Sequence, residues 1–230
     1  MNKTSVRFYI LVLSLFTSLS VRAEGKKPDL TFEKLKTQSY KEFLAKSADT
    51  EFPTLVHSTE NNVIKLGQKE VLVGIYERKD LSKNDENQEV RQVAVGFVKT
   101  GMKGDKEIFV KKDIDGFFDD GGSPVKILAV FSATFDKAKD PMLAILTLWD
   151  SSIAGGHSVM SQVGIQYEVH PYELGSTTLD FSNYKGSIAN KLSTCDCQLF
   201  DDNGKKTGEE KAKFKTVKEV KQYLKTIVGQ

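Results

Sequence analysis

The spacing of hydrophobic and polar positions along this chain shifts from helical to alternating and back. From Thr31 to Lys46 the apolar residues Phe32, Leu35, Tyr40, Phe43 and Leu44 recur at mixed helical spacings. Ser39 with Glu42 three residues later is a capping box, in which hydroxyl and carboxylate each accept from a backbone N–H that the first turn leaves open. The pattern predicts a helix starting near Ser39, with a shorter one before it. Asp49 to Pro53 breaks the pattern, and period two takes over from about Leu55.

Val71, Val73 and Ile75 alternate with Leu72, Gly74 and Tyr76, which predicts a strand buried on both faces. Val93, Val95 and Phe97 share one face of a second strand, and Glu107–Lys111 forms a short third. Asp113 to Pro124, acidic and glycine-rich, is expected to be a loop. Val125, Ile127, Ala129, Phe131, Ala133 and Phe135 line a long strand, and Met142–Trp149 is apolar almost throughout. Such continuity argues for a central strand covered on both sides. Val163, Ile165, Tyr167 and Val169 alternate with Gln162, Gln166, Glu168 and His170, the pattern of a strand with one wet face. Residues 125–170 are therefore expected to form the heart of the fold.

Toward the C-terminus, Thr177–Phe181 reads as a short strand and Gly186–Lys191 as a helical turn. Thr194–Phe200 reads as another strand, ending at Asn203-Gly204, a strong hairpin signal because both positions tolerate positive φ. The returning limb is rich in Lys and Glu, the composition of an edge strand that charge protects from further pairing. Thr216 and Glu219 repeat the capping pattern, and Val217, Val220, Leu224, Ile227 and Val228 form an apolar stripe on a final helix. The fold expected is α+β: residues 31–230 as one domain, a twisted antiparallel sheet of about seven to nine strands packed by N-terminal and C-terminal helices.

Composition alters this picture mainly at the start. Met1–Arg7 is basic, Phe8–Val21 is apolar, and Val21-Arg22-Ala23 supplies a small-residue exit, the layout of a secretory signal peptide. Residues 1–23 are read as that signal and 24–30 as a polar leader, so the product is expected in a periplasm or outside the cell after cleavage near Ala23. The first cysteine is Cys195, so no lipid anchor follows the cleavage site. The formal charge of the whole chain is +2, but residues 1–23 hold Lys3, Arg7 and Arg22 and no acid. The remainder carries 30 basic against 31 acidic residues. A near-neutral chain has no global pull toward nucleic acid, and none is expected as a partner. Nor is a transmembrane anchor expected, because the apolar run is short and diluted by Ser14, Thr17, Ser18 and Ser20. Gly204–Lys225 holds eight lysines against three glutamates, read as a solvated face with weak membrane-surface contact as a lesser option.

Candidate chemistry concentrates in Cys195-Asp196-Cys197. On an extended strand both side chains point the same way with Cα atoms roughly 6.6 Å apart, near the upper limit for a disulfide. A bond between them needs a local kink and is expected to be readily reduced. The pair reads as a disulfide clip, a redox couple or half of a soft-metal site. With His157 or His170 it would complete a Cys2His2-like set for zinc or copper. No helix N-terminus is expected beside the pair to favour a thiolate, and the spacing is not CxxC.

Gly155-Gly156-His157-Ser158 places His beside Ser, but chain neighbours seldom face each other as base and nucleophile, and the glycines suit a turn. Asp113-Ile114-Asp115-Gly116 with Asp119-Asp120-Gly121-Gly122 supplies oxygens for calcium but lacks the EF-hand frame, so a turn is the better reading. No nucleotide-binding or zinc-protease motif names a cofactor. Two function classes remain. The first is an exported, non-catalytic domain that binds a small ligand or an envelope protein. The alternative is a periplasmic thiol-redox or soft-metal-handling protein using Cys195 and Cys197.

Overall fold

The computed structural model describes residues 29–58, 63–78, 90–120, 123–152 and 162–229. The expected signal peptide, the Leu81–Glu89 loop and His157 lie outside these residues. Among them the chain forms strands β1 (Thr31–Leu35), β2 (Thr54–Ser58), β3 (Ile64–Leu66), β4 (Lys69–Glu77), β5 (Val90–Lys103), β6 (Lys106–Asp120) and β7 (Ser123–Pro124). Strands β8 (Lys126–Ala133), β9 (Met142–Asp150), β10 (Gln162–Leu174), β11 (Phe181–Asn183), β12 (Ser193–Phe200) and β13 (Lys206–Glu210) follow. Helix α1 (Tyr40–Lys46) lies between β1 and β2, and α2 (Val217–Val228) ends the described chain. A 3-10 turn, Ala189–Lys191, sits where a helical turn was expected.

The architecture is mostly antiparallel β, but the strands divide into two sheets instead of forming one. One sheet has the order β1-β6-β5-β4-β2, with β3 also on β4 and β7 also on β6. The other runs β13-β12-β10-β9-β8, with β11 on β10. The division follows from where the apolar residues go. Val71, Val73 and Ile75 of β4 pack with Leu143, Ile145 and Tyr172 of the other sheet. On the opposite face of β4, Leu72 and Tyr76 pack with Phe43 and Leu44 of α1. Ala144 and Leu146 of β9 pack with Tyr167, Val169 and the α2 residues Val220 and Leu224. The layers are therefore helix, sheet, sheet, helix. Each sheet is apolar on both faces because one face meets a helix and the other meets the second sheet.

Both caps read from the sequence are present. Glu42 N donates to Ser39 Oγ at 3.2 Å, while Ser39 N donates to a Glu42 carboxylate oxygen at 3.2 Å. Glu219 N donates to Thr216 Oγ1 at 3.3 Å. Gly229, with φ of 68°, closes α2 in the left-handed conformation. The expected short helix before Ser39 is instead β1, which pairs with β6 from Thr31↔Val110 to Leu35↔Lys106. Period two governs it: Phe32 packs in the α1 core and Lys34 is buried, its ammonium 2.9 Å from Glu107.

The expected acidic loop at 113–124 is a second correction. Its first part continues β6, with Phe117 buried between the sheets. A bulge makes this possible: Ala94 pairs with Asp115 but Val95 pairs with Asp113, leaving Ile114 as the extra residue. Lys112, also on β6, is buried and bonds Asp29 at 2.6 Å and Asp180 at 2.9 Å, tying the two sheets together beside β11. No helix among the described residues is long and apolar enough to cross a membrane.

Candidate functional site

The inner face of the six-stranded sheet changes character along its length. Cross-strand pairs on that face run from Tyr172↔Leu143 through His170↔Ile145 and Glu168↔Thr147 to Gln166↔Trp149. The face carrying Gln166, Glu168 and His170, expected to be wet, instead looks into the space between the sheets, and Gln166 is buried. Its polar groups answer one another. Thr147 Oγ1 and His170 Nε2 are 3.0 Å apart, and Trp149 Nε1 donates to Glu168 at 3.1 Å. The Tyr172 hydroxyl donates to Asp115 at 2.6 Å, and the Phe117 ring meets the His170 ring edge-on. Burial pushes the His170 imidazole below its ordinary pKa, against the opposing pull of the Glu168 and Asp115 carboxylates. Burial, followed by the Asp115 bond, pushes the Tyr172 hydroxyl up.

This arrangement brings a hydroxyl to an imidazole with carboxylates near, yet the Thr147 residue is 1% exposed. A nucleophile must reach its substrate, so the cluster reads as a satisfied polar interior and not as a hydrolytic centre.

Farther along the same face lie the cysteines. Gln166 pairs with Cys195 and Gly164 with Cys197, so both sulfurs point to the inner side of β12. The two Sγ atoms are at bonding distance and the Cα atoms are 5.3 Å apart, shorter than an extended strand provides. Gly164 permits the close approach. At φ of +147°, a Cβ there would lie 2.8 Å from Cys197 Cα and would also meet the Asp196 carbonyl. Cys195 is 1% exposed and Cys197 6%. Cys197 lines a surface cleft of about 420 Å³ that also includes Ser152, Val163, Glu209, Glu210 and Lys211.

Of the two histidines expected as metal partners, only His170 lies among the described residues, and it does not join them. His170 is four residues from Gln166 along β10, about 13 Å at strand rise, and His157 is outside the described residues. Glu210 is the residue that does. It pairs with Cys197 across β12 and β13, and one of its oxygens and the two sulfurs all lie within 4.8 Å of one another. Asp196 points to the other face, where it accepts from Ala212 N at 3.0 Å and pairs with Lys215. That lysine, and then the Ala212 bond, hold the Asp196 carboxyl below its usual range. Charge on the C-terminal lysines is thus partly committed: Lys206 bonds Glu209 at 2.7 Å, and Lys221 sits over Phe131.

Glu210 is not distinguished in the sequence from the other charged residues of an edge strand rich in Lys and Glu. The register set by the turn points to the neighbouring Glu209, so no signal in the sequence singles out Glu210. In comparisons with known proteins, no family model, curated protein or solved structure matches this chain.

Proposed function

We propose that this chain is an exported protein whose working element is the Cys195/Cys197 couple, a dithiol–disulfide switch set in a β-strand. The observation that carries the reading is the pair of sulfurs at bonding distance on the inner side of β12, with Cys197 at the wall of the 420 Å³ cleft. Of the two cysteines only Cys197 lines the cleft, which gives the exchange a direction. A thiolate of an external dithiol attacks Cys197 Sγ, and the S–S electron pair leaves on Cys195 Sγ. The second thiolate of the donor then resolves the mixed disulfide. Two electrons pass to the pair, each cysteine takes up one proton, and the donor departs as its own disulfide. Both cysteines sit mid-strand, without the helix N-terminus that activates the attacking thiol of CxxC enzymes. The pair accordingly serves as a switch and not as a general oxidoreductase.

Alkylation of native protein, read by intact mass, tests this. The expected result is no modified thiol without dithiothreitol and two with it, at reductant concentrations that leave the far-ultraviolet circular dichroism unchanged. Thiols that appear only once the fold is lost would overturn the reading. Export has its own test: expression with secretion should yield a chain beginning at Glu24, and a product retaining Met1 would exclude it.

A second reading, a non-catalytic binding domain for a small ligand or an envelope partner, has support at the opposite end of the sandwich. A cleft of about 330 Å³ there has Leu66, Pro141, Met142 and Leu174 with Lys69 and Glu173 among its lining residues. Apolar walls with a few charged groups suit a small amphipathic ligand. Thermal stabilisation by such a ligand, abolished by Leu174→Trp, would favour this reading. Nucleic acid is not among the proposed partners, and the lysine-rich C-terminal limb would at most touch anionic lipid weakly.

A further inference from the structure

We propose that the reduced Cys195/Cys197 pair, together with Glu210, is a zinc site with one coordination position open to the 420 Å³ cleft. This inference rests on the dithiol–disulfide reading, because zinc binds thiolates and not a disulfide.

The geometry points to three ligands already gathered. Strand alternation puts both sulfurs on one side of β12, and antiparallel pairing puts Glu210 beside Cys197. In a tetrahedral zinc site, Zn–S of about 2.3 Å and Zn–O of about 2.0–2.2 Å place the ligand atoms roughly 3.5 to 3.8 Å from one another. The atoms here already lie within 4.8 Å. Cleaving the S–S bond lets the sulfurs separate toward that spacing, and a rotation of the exposed-side carboxylate closes the remainder.

Donor chemistry selects the metal. Copper(I) favours sulfur ligands throughout, and calcium or magnesium favours oxygen throughout. Two thiolates and one carboxylate suit zinc, which accepts both. Three protein ligands are the pattern of zinc sites that keep a position for water or substrate. Cys197 and Glu210 both line the cleft, so the open position faces it. Binding balances as Zn²⁺ plus two thiols and one carboxylate giving a bound metal and two released protons, a complex of charge −1. Lys211 also lines the cleft.

The experiment uses the full secreted chain, reduced with a phosphine, its thiols counted, then titrated with Zn²⁺ against a chromophoric chelator. One zinc per chain and two protons released per zinc are expected, with both thiols protected from alkylation. Replacing Zn²⁺ by Co²⁺ should give thiolate charge-transfer absorption. Glu210→Gln should weaken zinc binding by tenfold or more, whereas Glu33→Gln, on β1 of the other sheet, should leave it unchanged. If the thiol count stays at zero in the folded protein, the switch reading fails and the zinc site with it. Two free thiols that take up no zinc overturn the zinc site alone. Equal affinity in Glu210→Gln and the parent chain overturns the assignment of the third ligand.

Discussion

The two ends of the space between the sheets are built from the same strands but obey different rules. At one end β9 and β10 present Leu143, Ile145 and Tyr172 to Val71, Val73 and Ile75 of the facing sheet. At the other they present Thr147, Trp149, Glu168, His170 and Gln166, ending at the cysteines. Apolar contact is non-directional and stabilises roughly in proportion to area. Hydrogen-bonded polar groups add little net free energy but lose much when a partner is missing. The first end therefore holds the sheets together, and the second dictates where side chains stand.

The largest test of that contrast is Ile145→Ala. Ile145 is fully buried in the shared core, so truncation should cost about 2–5 kcal/mol of unfolding free energy in urea. A loss under about 1 kcal/mol, well below that range, would mean that the apolar end is not what joins the sheets.

Gly164→Ala comes next. Its positive φ and the nearness of Cys197 Cα leave no room for a methyl group, and strain on the order of 1–3 kcal/mol is expected. The substitution should also alter the cysteine pair, read as a changed rate of reduction by dithiothreitol. Unchanged stability and an unchanged rate would remove Gly164 from the account of the switch.

Thr147→Val should cost about 1–3 kcal/mol, because the shape is kept but the His170 ring and the Glu168 carbonyl lose a buried partner. A cost as large as that of Ile145→Ala would erase the distinction between the two ends.

The smallest effect is that of pH. His170 titrates below its ordinary value when folded, so the unfolded chain binds its proton first as pH falls. Its contribution to stability is present above the unfolded pKa of about 6.5 and is lost as pH drops from there through the lower folded value. His170→Gln should flatten the stability profile in that window. A slope that persists unchanged would assign the dependence to other groups.

Local features were legible where local chemistry decides them. The two helix caps need only residues three apart, and Asn203-Gly204 turns the chain with Gly204 at φ of 75°. Strands β4, β9 and β10 follow from alternation or continuous apolarity. Less legible was β6, whose Asp113, Asp115 and Gly116 disfavour strand in isolation. They are held there by β5, the bulge at Ile114, and Tyr172 from the other sheet. Phe32 and Leu35 fit helical spacing, yet β1 forms because β6 offers an edge and Lys34 finds Glu107.

The candidate site shows the same divide within one hairpin. Cys195 and Cys197 share a face by strand alternation alone, a conclusion available from two residue numbers. Which glutamate joins them is settled elsewhere. Near the turn Phe200 pairs with Lys206, and that register carried inward would set Glu209 against Cys197. A bulge between Leu199 and Phe200 inserts Thr207 and shifts the pairing by one, so Glu210 faces the cysteines instead.

Periods, caps and turn residues are short-range matters, and the order of amino acids was sufficient to establish them. The division of the strands between two sheets and the inward orientation of His170 depend on segments distant in the chain. Those arise only when two doubly apolar sheets cover one another, because a face that looks wet or exposed by its composition has no orientation until a neighbour is packed against it.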